Sequence, residues 1–259
     1  MKKILCVLLM ALCLTACAGT PTVEQDQQAP EKEVLVMATE ATFEPYEFYD
    51  GDTIVGIDVE IAKAIGEKLG KEVEVVDIAF DSIIPGVQTG KYDFGMAGMT
   101  VTEERLKEIN FSDSYATGVQ VIIVNEDSAI TTVDDLFADG AYNVVGTQTG
   151  TTGYLYATWD IAEAEPSLGE VKDYAKTTDA AQALVNKQID CIMLDNEPAK
   201  AIVAKNPGLK ILDSEYAIED YAIAISKENE ALLNDINGAL NALKADGTID
   251  AIVKKYIGE

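Results

Sequence analysis

The chain has 259 residues, with 45 acidic and 19 basic side chains and a formal net charge of −26. Such a balance repels phosphate backbones, which excludes non-specific nucleic-acid binding, and favours a soluble, self-repelling surface. There is no histidine, so Ser-His-Asp and Cys-His mechanisms are excluded along with the commonest metal ligand. A hydrophobic content of 48% is ample for a packed core, and the length suits one large or two medium domains.

Lys2 and Lys3 precede an apolar run, residues 4–14, that is too short to span a bilayer comfortably and has the form of a secretory signal. It ends in Leu14-Thr15-Ala16-Cys17, which resembles the lipobox of bacterial lipoproteins; the alternative is an ordinary signal with a chance cysteine. The lipobox reading gives a signal peptide over 1–16, then a lipidated Cys17 and a flexible tether over 17–32. Two acyl chains on Cys17 give stable anchoring and one is marginal. The tether has no apolar period and spans roughly 20 Å as a random coil. Of the 4 cysteines, Cys6 and Cys13 fall in the segment that cleavage removes. Cys191 lies alone in the folded part, inside an apolar run, and reads as a small buried core residue.

Residues 34–37 are a short run of buried-strand type, followed by a loop heavy in aromatics (Phe43, Tyr46, Phe48) and a hairpin-like turn at Asp50-Gly51-Asp52. Asp58 is placed to cap a helix carrying Ile61, Ala64, Ile65 and Leu69, with Gly70 as its stop. Residues 73–76 are the next strand, and Asp81 or Ser82 caps a helix with Pro85 in its first turn. Asp93-Phe94-Gly95 returns as a third strand. This β-α-β-α-β order with short connections predicts a parallel α/β sheet with its ligand crevice beyond the carboxyl ends of the strands. The loops 39–46, 79–82 and 97–105 all face that crevice.

Residues 119–124 form a strand that leaves this unit. The second unit has a short helix at 134–137, a strand at 143–145, a polar Gly-rich loop at 146–153 and a helix over about 152–159. A strand at 171–174, a helix capped by Thr178 or Asp179, a strand at 189–194, a helix to Lys205 and a strand at 209–212 follow. Residues 221–225 read as a returning strand. Leu232, Ile236, Ala239, Leu240 and Leu243 keep helical spacing, and a last helix holds Ile249, Ile252, Val253 and Tyr256. The pattern predicts two α/β lobes, residues 33–117 with 222–259 and residues 118–221, joined by two crossings.

The most informative stretch is Met96-Ala97-Gly98-Met99-Thr100-Val101-Thr102-Glu103-Glu104-Arg105. Thr100 stands three residues before Glu103, a capping-box spacing, and Thr102 is an equally good helix start. Either choice puts Arg105 in the first turn, where the macrodipole disfavours a cation. Two explanations stand: an anion is bound beside it, or Arg105 pairs with Glu103, Glu104 or Glu108 on a solvated face. The 146–153 loop lacks the Gly-Lys-Ser/Thr ending of a P-loop, and Asp50-Gly51-Asp52 lacks an EF-hand ligand ladder. No metal or cofactor site is read from the sequence. Phe43 and Phe80 gain weight because both fall on crevice loops.

From about residue 34 to residue 257 the chain resembles the periplasmic amino-acid-binding proteins of ABC importers, the polar amino-acid group of family 3 solute-binding lipoproteins. The resemblance is carried by residues 38–48, 55–62, 80–85, 93–105 and 109–115 in the first lobe. In the second lobe it is carried by residues 148–152 and 190–195, with 247–249 at the end of the chain. It implies a two-lobed type II periplasmic-binding-protein fold with hinges near 115–120 and 219–223. It also implies a non-enzymatic, monomeric receptor, lipid-anchored outside the cytoplasm, that hands one free L-amino acid to an ABC permease. By the resemblance Arg105 binds the ligand α-carboxylate, with Gly98 and Thr100 sharing the carboxylate and amine. Asp195 takes the α-ammonium and Thr152 lies near the carboxylate. Phe43 and Phe80 sandwich the ligand side chain, and Glu40 reads its tip. Ala97 or Gly98 stands where some relatives have a small hydroxyl residue, and Gln148 where glutamine binders carry a lysine, which favours a cationic or amide ligand side chain. The alternative is an enzyme on the same scaffold, such as a cyclohexadienyl dehydratase-like protein, with Glu40 as a general acid.

Overall fold

A computed structural model describes residues 34–138, 140–164 and 166–258. The signal peptide, lipidated Cys17 and tether expected from the sequence lie outside the described residues. The chain opens with β1 (Val34–Thr39) and a small antiparallel ribbon of β2 (Thr42–Phe43), β3 (Glu47–Asp50) and β4 (Thr53–Val55). Then come α1 (Ile57–Leu69), β5 (Glu72–Asp77), α2 (Ile83–Gln88), β6 (Phe94–Gly95), α3 (Glu103–Glu108) and β7 (Asn110–Phe111). β8 (Ala116–Asn125) carries the chain into a second sheet, followed by β9 (Asn143–Gln148), α4 (Thr152–Ala157) and β10 (Gly169–Tyr174). α5 (Thr177–Val185), β11 (Cys191–Asp195), α6 (Asn196–Lys205) and β12 (Leu209–Ile211) complete that half. β13 (Ala217–Tyr221) leads back to β14 (Ala224–Ile225), α7 (Glu230–Ala245) and α8 (Thr248–Ile257).

The first sheet has the order β5-β1-β6-β14-β7 and the second β10-β9-β11-β8-β12, with β13 also paired to β8. Neither sheet is purely parallel, contrary to the sequence pattern. β5, β1 and β6 are parallel, but β14 runs against β6 and β7. In the second sheet β10, β9 and β11 are parallel, and β8 runs against β11, β12 and β13. The strands fed by helical crossovers share a direction; β8 and β14, which arrive from the opposite sheet, enter the other way. The single returning strand read over 221–225 is in fact two. Tyr221 ends β13, Ala222 donates from its backbone to Met99 O at 3.0 Å, and Ala224 begins β14 in the other sheet.

α1, α7 and α8 cover the first sheet, over a core that includes Met37, Ile57, Ile61, Ile65, Phe94, Ile236 and Leu240. The helical spacing read from Leu232 to Leu243 is the buried stripe of α7. On the opposite face of that sheet Ile83, Val87 and Met99 pack together, and the second lobe closes over Ile122, Val124, Leu136, Ile161 and Met193. Cys191 is buried there, and desolvation pushes its thiol up, so it is an inert core residue as its apolar surroundings suggested. The N-cap of α1 is Gly56, at φ +133°, and Asp58 is the fully buried second residue of that helix instead of its cap. A Cβ at Gly56 would fall 2.1 Å from the Tyr46 carbonyl oxygen, so only glycine lets the β2–β3–β4 ribbon and α1 meet.

Candidate functional site

A cavity lies between the two lobes. Its walls come from the carboxyl ends of four strands, as expected for an open α/β sheet: Glu40 follows β1, Ala97, Gly98 and Thr100 follow β6, Gln148 ends β9, and Asp195 ends β11. Phe43, Phe80, Arg105 and Thr152 complete the set read from the sequence, and the cavity brings all ten residues together. Among the described residues no His/Cys/Asp/Glu cluster could hold a metal ion.

Arg105 is positioned by local capping. Thr102 precedes α3 and its hydroxyl accepts from Arg105 N at 3.1 Å, so Thr102 and not Thr100 starts the helix. The solvated-face explanation for Arg105 fails, because its side chain turns inward and only 7% of the residue is exposed. The guanidinium donates to Thr100 O at 2.6 Å and, across the cleft, to Gly150 O at 3.0 Å. Its centre sits 5.4 Å from the Phe80 ring, a cation–π distance. Desolvation lowers its pKa to about 10, opposed by the charges of Glu219 and Asp195, so it is a cation at neutral pH.

Facing it, Asp195 Oδ2 accepts from Gln120 Nε2 at 2.7 Å and Oδ1 accepts from the Tyr221 hydroxyl. Burial first, and then the neighbouring charge of Glu219, raise its pKa well above the ordinary aspartate range. Glu219 is buried on β13. Its Oε2 accepts from Thr100 Oγ1 at 3.1 Å, Thr152 Oγ1 at 3.1 Å and Gln120 Nε2 at 3.0 Å. Hydrogen bonds from both lobes therefore converge on one oxygen.

The other end of the cavity is wired differently. Glu40 accepts from the hydroxyl of Thr42 at 2.7 and 3.0 Å. Burial raises its pKa; bonds from Thr42 and Gln148 oppose that. Gln148 donates to Ala175 O at 3.1 Å and accepts from Thr177 Oγ1 at 3.0 Å. Phe43 lies against Tyr46 with ring centres 5.8 Å apart. Gly98 is left-handed at φ +52°, and a Cβ there would meet the Phe43 ring at 2.6 Å. At the mouth of the cleft Lys205 pairs with Glu44 across the lobes.

The sequence reading missed Glu47 and Thr151 in the lining, and Gln120 and Glu219 behind it. Glu47 is fully buried beside Asp58; burial first, and then the charge of Asp58, push its carboxyl well above the usual range. Asp58 Oδ2 accepts from Gly98 N at 2.8 Å and Tyr115 Oη at 2.7 Å, so this buried carboxylate holds the Gly98 turn in place. One local signal for Glu219 exists. β13 alternates, and the alternation is inverted: Ile218 is 70% exposed while Glu219 points inward.

Residues 35–259 match the model of the bacterial extracellular solute-binding proteins, family 3. The arginine-binding extracellular protein ArtP of Bacillus subtilis (strain 168) is 33% identical, over 99% of this chain and 98% of that protein. The solved structure of an ancestral arginine-binding protein bound to arginine is 40% identical with a TM-score of 0.81, over 88% of this chain and 99% of that one. An ancestral amino acid-binding protein described as a precursor of cyclohexadienyl dehydratase is 34% identical with a TM-score of 0.76, over 86% of this chain and 95% of that one.

Proposed function

We propose, from the premise that the chain belongs to the bacterial extracellular solute-binding proteins, family 3, that it is the amino-acid receptor of an ABC importer, with arginine as its preferred ligand. One observation carries the reading. The cavity between the lobes has a buried guanidinium and a buried carboxylate facing each other at one end, and a second buried carboxylate, Glu40, at the other. Arg105 takes the α-carboxylate, a role its planar fork suits better than an ammonium. Asp195 takes the α-ammonium, and Phe43 and Phe80 hold the side chain between them. Among the described residues that line the cavity Arg105 is the one cation; it faces the carboxylates of Asp195 and Glu40, with Glu219 behind, while Lys176 acts on Glu40 from outside the lining. The remaining imbalance is one that a cationic side chain relieves and a neutral one leaves. The arginine-binding relatives support this choice.

The ligand would touch both lobes at once, which gives it differential affinity for the closed arrangement and so drives closure. Hinge bending falls at the β8 and β13 crossings, between lobes formed by residues 33–117 with 222–259 and by residues 118–221. A lipid on Cys17 would keep a monomeric receptor at the outer face of the cell membrane beside its permease. Cys17→Ala is expected to release the protein from the membrane fraction, and retention of that variant would overturn the anchor.

Calorimetry of the purified protein against the common amino acids tests the main reading. L-arginine is expected to bind tightest, followed by lysine or glutamine; no amino acid binding would overturn it. The raised pKa of Glu40 is what a dehydratase would also need, so turnover of a cyclohexadienyl acid is the matching assay, and none is expected.

A further inference from the structure

We propose that Glu219 is a positioning residue for the ligand α-amino group: it takes the hydroxyl protons of Thr100 and Thr152, so that both oxygens turn lone pairs toward the cavity. The inference rests on the amino-acid reading above and assigns a role to a residue outside the cavity lining.

A threonine hydroxyl has one proton to give and two lone pairs. Thr100 Oγ1 lies 3.1 Å from Glu219 Oε2, and Thr152 Oγ1 lies 3.1 Å from the same atom. A carboxylate oxygen only accepts, so both hydroxyl protons are committed to it. Gln120 Nε2 supplies the third donor at 3.0 Å and with the same nitrogen reaches Asp195 Oδ2 at 2.7 Å and, more distantly, Thr152 Oγ1 at 3.4 Å, which leaves Thr152 one free lone pair. That shared amide fixes Glu219 beside Asp195. Thr100 comes from the first lobe and Thr152 from the second, so the hydroxyl polarity is set in both walls by a single group on β13.

Two consequences follow for the cavity. With their protons committed, Thr100 and Thr152 can accept from an ammonium but cannot donate to a carboxylate, which leaves the carboxylate to Arg105. The second charge beside Asp195 also deepens the negative potential at that point. Glu219 Oε1 is buried and accepts no hydrogen bond within 3.5 Å among the described residues, although the Tyr156 hydroxyl also acts on this carboxylate. A positively charged ligand group nearby compensates such a charge, whereas a neutral one leaves the desolvation cost standing.

The test compares L-arginine with 5-guanidinopentanoic acid, which is arginine without its α-amino group, by calorimetry on the wild type and on Glu219→Gln. The wild type is expected to favour L-arginine by about 100-fold or more, on the order of two tenfold steps of binding energy. In Glu219→Gln that preference is expected to shrink at least tenfold, with L-arginine weakened and the des-amino acid held within about threefold. Equal weakening of both ligands would mean that Glu219 only ties the strands together, and an unchanged preference would mean that it does not act on the amino group. Either result overturns the assignment. Should Glu219→Gln fail to fold, Thr152→Val removes one of the two oriented hydroxyls at constant volume and is expected to show the same selective loss; equal loss for both ligands there overturns it as well. A wild type that binds neither compound overturns the receptor reading and this assignment with it.

Discussion

The two ends of the cavity are both polar and both buried, yet they are held in different ways. At the Arg105 end the bonds cross between lobes: Arg105 reaches Gly150 O, and Glu219 gathers Thr100 and Thr152. At the Glu40 end most of the bonding stays within one lobe, Glu40 with Thr42 and Gln148 with Thr177 and Ala175, and only the Gln148 amide also acts on Glu40 across the cleft. The difference separates two tasks. In the proposed receptor closure would depend on the first end, where a change in one residue disturbs partners on both sides of the cleft. Side-chain choice would depend on the second, where a residue can change with less effect on closure.

The comparison breaks most sharply at Arg105. Arg105→Ala removes one partner of a desolvated charge pair and two backbone carbonyls lose their donor; a loss of about 2–5 kcal/mol, tens- to thousands-fold in affinity, is expected by calorimetry. Retained affinity would mean that the first end does not control binding. Asp195→Asn keeps the shape and should cost about 10–100-fold.

Asp195 also predicts a pH dependence. Its pKa is raised in the fold, by burial and by Glu219, so the ligand-free protein holds a proton that the unfolded chain has lost. Stability of the ligand-free form therefore falls as pH rises from the ordinary aspartate value near 4 through the raised value. A ligand ammonium favours the charged carboxylate, so binding should release a proton and affinity should rise over the same window. Calorimetry in buffers of different ionisation enthalpy reads that proton directly, and Asp195→Asn should abolish the release.

At the second end, Glu40→Gln should shift preference from arginine toward glutamine by roughly tenfold, about 1.4 kcal/mol, while the melting temperature holds or rises because a buried carboxylate is relieved. A fall in affinity for every amino acid alike would erase the separation of tasks. The smallest effect belongs to the mouth of the cleft. Lys205→Ala removes an exposed cross-lobe pair and should cost at most about 1 kcal/mol, seen in the dissociation rate.

Much of this was legible in the residues. The strand–loop–helix order placed three loops on one crevice, and the misfit of a cation in the first turn of α3 pointed to Arg105 before any fold was known. What stayed hidden is long-range. Glu219 meets Thr100 and Gln120 at separations of 119 and 99 residues, and no spacing rule reaches that far. Asp58 looked like a cap because an acid near a helix start is ordinarily one. Its burial depends on Glu47, Gly98 and Tyr115 arriving from three other segments. The mixed sheets escaped for a similar reason: a strand's direction depends on which lobe it comes from, and composition does not encode that.

The two crossings have a mechanical consequence of their own. β8 and β13 are laddered from Ala116↔Tyr221 to Gln120↔Ala217, with the Tyr221 ring packed where Gly118 has no side chain. Two independent tethers would let the lobes twist and slide; a bonded ribbon flexes about one axis and resists shear. An opened receptor would then wander along an arc instead of through a volume, and little orientational freedom would remain to be lost when it shuts.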